Sequence, residues 1–173
     1  MAMQTIEELF EHELKDIYSA EHSLLDALEQ MAGESSDREI KKAYTQHRKE
    51  TQGQIKRLEK LFKALGRKPK AETCPGIEGL LKEKKAFMRE KPSDELLEFF
   101  NLGAGQKTER YEITAYENLI DMADKLGMTE AVEMLEQILQ EEEAALNKLK
   151  MIASEFDVAE EGEEEESTTA SRR

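Results

Sequence analysis

Residues 43–52 read AYTQHRKETQ, and they set an imidazole and a carboxylate where a helix should bury apolar side chains. The apolar stripe is regular on either side, with Ile40, Ala43 and Tyr44 before and Ile55, Leu58, Leu61, Phe62 and Leu65 after. At ~100° per residue it must continue through His47, Glu50, Thr51 and Gln54. Three other helical patterns carry the same kind of interruption. Glu21 falls among Ile17, Tyr18, Leu24, Leu25 and Leu28, with Glu13 as the other candidate on that helix. Glu112 falls with Tyr116, Leu119 and Ala123, and Glu109 lies one turn earlier. Glu142 is in phase with Leu135, Ile138, Ala145 and Leu149, and Glu141 flanks it.

Carboxylates at one level of an apolar core either keep their protons or bind cations, because a buried, unpartnered carboxylate costs several kcal/mol. Carboxylates joined by an imidazole, with no thiolate, suit iron or manganese. The predicted ligands are Glu21, His47, Glu50, Glu109, Glu112 and Glu142, holding two ions. Tyr116, Gln54, Glu141 and Tyr111 are predicted to hydrogen-bond to that set. The competing reading is a metal-free polar layer that fixes helix register. His12 and His22 fall on polar faces, and Cys74 is expected to pack without reacting.

The elements that position these residues are four long helical patterns. Thr5-Ile-Glu-Glu8 forms a capping box ahead of the first, which Gly33 should end. Ser35, Ser36 and Asp37 offer caps for the second, which should stop at Gly66 with Pro69 beyond. Residues 66–93 hold all three prolines and the Cys74-Pro75-Gly76 turn, yet Ile77 to about Arg89 reads as a short amphipathic helix. Ser93 and Asp94 can cap the third long helix, which runs to Gly127, and Thr129 can cap the fourth.

Short turns at 33–37 and 127–129 make two antiparallel hairpins, and the long middle connection must cross over. The prediction is all-α, a ferritin-like four-helix bundle with a short fifth helix in the crossover. Within the first hairpin Glu21 and His47 both stand 13 residues from a turn at 34, roughly 20 Å along the helices. Within the second, Glu112 and Glu142 both stand 15 residues from 127. The halves also repeat weakly at an offset of 91, which pairs Glu21 with Glu112 and Glu50 with Glu141. The repeat favours Glu141 as a ligand and helix phase favours Glu142; we take Glu142.

Composition bounds the alternatives. One domain spanning 1–156 is expected, followed by an acidic disordered tail, 157–173, with almost nothing to bury. A formal net charge of −14 disfavours nucleic acid and anionic membrane surfaces, and no apolar run is long enough to span a bilayer. One cysteine and no evident secretory signal lead to the expectation of a cytoplasmic protein. No glycine-rich phosphate loop or Ser/His/Asp constellation is present.

Five stretches together resemble the YciF/YciE family of bacterial ferritin-like stress proteins: TIEELFEHELKDIYSAE, HRKETQGQIKRL, TCPGIEGLLKE, ERYEITAYENL and LQEEEAALNKL. The resemblance runs from about Gln4 to Ala153. It implies a ferritin-like bundle, a homodimer, a link to stress responses and two metal ions on Glu21, His47, Glu50, Glu109, Glu112, Glu141 and Glu142. Position 110 is Arg where that family carries His, and 146 is Leu where it carries Asp. The expected chemistry is oxidation of Fe(II) by O2 or peroxide.

Overall fold

The Thr5 hydroxyl accepts from the Glu8 amide at 3.2 Å, and the Glu8 carboxylate accepts from the Thr5 amide at 3.1 Å. That reciprocal cap opens the first of five helices in the computed structural model, which describes residues 2–157. They are α1 (Ile6–Glu34), α2 (Arg38–Ala64), α3 (Pro75–Arg89), α4 (Asp94–Lys125) and α5 (Thr129–Glu155). The acidic tail predicted at 157–173 lies, apart from Asp157, outside the described residues.

Local chemistry sets the boundaries. Asp37 caps α2 by accepting from the Glu39 and Ile40 amides at 2.7 and 2.9 Å. Ser93 caps α4 through the Leu96 amide. Gly66 and Gly127 sit at φ +66° and +68°, left-handed conformations that glycine adopts without a Cβ penalty, and each follows a helix end. Two boundaries depart from expectation. Gly33 does not end α1, which continues to Glu34 and closes on Ser35. Thr129 is already helical, so Met128 is the residue at the α5 N-cap and no side chain caps it.

α1 packs along α2 and α4, and α5 along α4 and α2, so α1 faces α5 and α2 faces α4 across the bundle. Each neighbouring pair of long helices is antiparallel, because the crossover returns the chain to the turn between α1 and α2 before α4 begins. That return is visible in the bonds at this end. Glu98 of α4 accepts from the Asp37 amide at 2.9 Å, and Asn101 donates to Glu34 at 3.1 Å. α3 lies against α4 and α1, where Phe87 stacks on Phe100 at 3.9 Å between ring centroids. This is the all-α, ferritin-like arrangement of two hairpins and one long crossover.

The apolar core divides in two. The larger part holds Phe10, Leu14, Ile17, Leu58, Phe62, Leu119 and Leu135; the smaller holds Leu28, Met31, Ile40, Tyr44, Leu102 and Leu149. Leu9 of α1 is exposed although apolar. Among the described residues no helix is long and apolar enough to cross a membrane.

Candidate metal centre

The break between the two apolar clusters is filled by charged side chains, one or more from each long helix. Glu21 of α1, His47 of α2, Glu109 and Glu112 of α4 and Glu142 of α5 are all buried. Helix periodicity explains each: Glu109 and Glu112 are one turn apart on α4, and Tyr116 continues that face one turn further. His47, Glu109, Glu112 and Glu142 each offer a ligand atom, and these atoms lie within 4.8 Å of one another.

The His47 ring separates two environments. Its Nε2 faces the cluster, 3.1 Å from Glu109 Oε1 and 3.7 Å from Glu142 Oε2. Its Nδ1 faces outward to Glu50 Oε2 at 3.5 Å. Glu50 therefore stands behind the imidazole, a third exposed, and takes a hydrogen bond from Gln46 at 2.9 Å. On the far side of the cluster, the Tyr116 hydroxyl donates to Glu21 Oε1. Glu141 does not face the cluster. It takes hydrogen bonds from Arg57 and, at 3.1 Å, from Gln54. Glu13, His12 and His22 also lie outside it.

The electrostatics follow from burial. Desolvation pushes the Glu21 carboxyl up to about 7, against the Tyr116 hydrogen bond and the His47 charge, which both pull it down. Desolvation raises Glu112 well above the carboxylate range, and Glu142 and Glu21 add repulsion. Glu142 is raised well above that range for the same two reasons, desolvation and then Glu21. Burial alone would lower His47, but Glu109, Glu50 and Glu142 outweigh it and hold the imidazolium well above its ordinary range. Glu50 is lowered, chiefly by the His47 imidazolium beside it.

These side chains fit a divalent cation on an observation of their own. Both oxygens of Glu112, both of Glu142, and one each of Glu21 and Glu109 are buried with no hydrogen-bond donor from the protein. Native cores leave few such groups unsatisfied. Hard oxygen donors with one imidazole match iron or manganese, and the four buried carboxylates balance the charge of two divalent ions.

Some features escaped sequence reasoning. Arg57 as the partner of Glu141 is signalled only by its position one turn beyond Gln54 on the same helix. Cys74 is buried and donates to Asp16 at 3.0 Å, and Tyr111 bonds to both, so Tyr111 serves the crossover rather than the cluster. Arg110 is exposed, so the departure from the family pattern at 110 lies on the outer face of α4.

Comparison with known proteins gives a concordant picture. Residues 5–161 match the model of a domain of unknown function, DUF892. Protein YciF of Escherichia coli K12 is 36% identical over 154 residues, covering 88% of this chain and 93% of that one. The crystal structure of the E. coli stress protein YciF superposes with a TM-score of 0.84 at 35% identity, covering 89% of this chain and 98% of that one. YcfI of Rhodopseudomonas palustris, described as a suspected structural protein, superposes at 0.82 with 40% identity, covering 85% and 94%. A Xanthomonas campestris protein shares the fold at 23% identity and a TM-score of 0.71, over 87% and 93%.

Proposed function

The chain belongs to the DUF892 family, and from that premise we propose that it is a ferritin-like stress-response protein holding two iron or manganese ions in its bundle core. The supporting observation is the set of buried carboxylate oxygens on Glu21, Glu109, Glu112 and Glu142 that have no donor from the protein. Glu109, Glu112, Glu142 and His47 Nε2 would hold one ion; Glu21, with Glu112 and Glu142, would hold the second. Glu50, proposed as a ligand on sequence grounds, is better read as fixing the imidazole, since it faces Nδ1. Tyr116 orients Glu21 in the same way.

When bound, Fe(II) would give one electron per ion to dioxygen, so that two Fe(II), O2 and two protons yield two Fe(III) and hydrogen peroxide. Peroxide is the other candidate oxidant. The chain's own groups handle the accompanying protons: cation binding displaces them from Glu21, Glu112 and Glu142, whose acid forms burial favours. The same reading includes a cytoplasmic homodimer. It is supported by the single cysteine, a buried thiol, and by the exposed apolar side chains of Leu96 and Phe99, nearly one turn apart on α4.

Anaerobic Fe(II) titration with metal analysis tests this. The protein is expected to take up two ions per chain, and a Glu21→Ala/Glu112→Ala double variant none. Equal uptake by both would overturn the reading. A metal-free polar layer that fixes helix register is the alternative, favoured by the His47–Glu109 ion pair, which engages His47 Nε2 and one Glu109 oxygen without a metal. That alternative requires a thermal midpoint unmoved by iron, manganese or chelator.

A further inference from the structure

Two recesses meet at Tyr44 and His47, and they differ in chemistry. Between α2 and α5 runs a groove of about 300 Å³ with Glu39, Lys42, Glu50 and Lys148 among its walls. Ala43, Ala144, Ala145 and Leu149 also line it, so charged groups rim a groove that is largely apolar within. The second recess is a cavity of about 40 Å³ beneath the crossover helix. Its walls are Leu24, Leu28 and Met31 of α1, Leu80 and Leu81 of α3, and Ala104 with Gly105 of α4. At its inner end stand Tyr44, His47 and Glu109, so it abuts the carboxylate cluster.

Four observations define what this cavity accepts. A water occupies roughly 10–15 Å³ on this volume scale, so the space suits a molecule of two or three heavy atoms. Away from that inner end the walls offer such a molecule dispersion contacts and few hydrogen bonds, which suits a small apolar molecule better than a hydrated one. The polar atoms without a partner in the protein stand together at the inner end, the Tyr44 hydroxyl with His47 Nδ1 and Glu109 Oε2, which leaves the rest of the wall apolar. The charged side chains near the mouth are already neutralised, Glu83 by Lys107 at 2.7 Å and Lys84 by Glu34 at 2.6 Å.

We propose that this α3-covered cavity is the seat of dioxygen beside the metal centre, separate from the wider groove between α2 and α5. The inference rests on the metal-binding reading above. No bond is made or broken in the cavity; it concentrates an apolar gas next to the ions that reduce it. The crossover helix thereby acquires a role beyond connecting two hairpins, because Leu80 and Leu81 form the outer wall.

Xenon is the probe, since it fills small apolar cavities without needing metal. Xenon NMR on the metal-free protein is expected to show saturable binding, and xenon-pressurised crystals a single site among Leu24, Leu28 and Leu81. Ala27 of α1 also lines the cavity, and the Ala27→Leu variant, which fills it, is expected to lose that site and keep its Fe(II) stoichiometry. Its oxidation of bound Fe(II) should slow about tenfold with O2 while the rate with hydrogen peroxide is unchanged. Leu81→Ala, which widens the cavity, should bind xenon more tightly and oxidise Fe(II) at least as fast as the parent. Absence of xenon binding to the parent overturns the proposal, as does an unchanged O2 rate in a variant that has lost the xenon site. Loss of Fe(II) binding by the parent would instead overturn the metal-centre reading, a separate result from the xenon measurement.

Discussion

Glu112 shows the cost of the site most clearly, because neither of its carboxylate oxygens has a donor from the protein and Glu142 and Glu21 repel its charge. Removing that charge should help the metal-free protein. Glu112→Gln is expected to abolish metal uptake while stabilising the chelated protein by about 1–3 kcal/mol near pH 8, read by urea denaturation. A destabilised variant would mean the carboxylate is satisfied. The pH dependence has a definite sign. Glu21 titrates near 7 in the folded state and in the ordinary carboxylate range when unfolded, so the folded state binds the proton more tightly. Its contribution is full at low pH and is lost as pH rises through about 7, which corresponds to roughly 3 kcal/mol from this group. Glu112 and Glu142 act in the same direction, and so does His47, whose raised value stabilises the fold below its own folded-state titration. The thermal midpoint of the chelated protein should therefore fall from about pH 5 to about pH 8, more steeply than that of Glu21→Gln/Glu112→Gln. A rising midpoint would contradict the buried, protonated cluster. Sequence periodicity reached these residues, since a side chain's phase on a helix is a local property. It did not separate Glu50 from the buried cluster or assign Glu141 to Arg57, because a helical phase does not say which neighbour an edge residue meets.

At the scale of elements, the crossover matters most. α3 is held to the bundle by Ile77, by the Phe87–Phe100 stack and by the Cys74, Asp16 and Tyr111 hydrogen bonds. Gly76 lets the start of α3 approach Tyr111 so closely that a Cβ there would lie 2.4 Å from the ring. Gly76→Ala is expected to destabilise the protein by about 1–3 kcal/mol by forcing α3 off α4, measured by thermal unfolding. An unchanged midpoint would show that the Tyr111 ring moves aside freely. The existence of α3 was legible from its amphipathic pattern over Ile77 to Arg89, whereas Pro75 and Gly76, read as a turn, instead form its first helical residues, a position that suits proline. Its wall-forming role was not, because residues 80 and 81 are far in sequence from everything they enclose.

For the whole molecule, binding must appear as stability. A cation that binds only the folded state at about 100 times its Kd should add about 2.7 kcal/mol, raising the thermal midpoint in excess Mn(II). The structural variant most informative about assembly is Leu96→Glu/Phe99→Glu, which charges the exposed apolar pair beside Phe156. If a second copy covers that surface, sedimentation velocity will show the parent as a dimer and the variant as a monomer. Two dimers, or two monomers, would place the interface elsewhere or remove it. A formal net charge of −14 adds self-repulsion in any dimer, so its affinity should rise with salt.

The sequence by itself determined the helices, the caps at Thr5, Asp37 and Ser93 and the polar interruptions on the inner faces, because helix formation, capping and 3.6-residue phase depend on near neighbours in the chain. The length of the middle connection also determined the hairpin topology, since a crossover is the only use for it. Tertiary structure alone decided that His47 turns Nε2 inward and Nδ1 toward Glu50, and that Glu142 rather than Glu141 joins the cluster. It alone placed an apolar cavity between that cluster and the crossover helix. Those outcomes depend on four helices meeting at one level, where burial and repulsion act among residues up to 121 positions apart, as between Glu21 and Glu142.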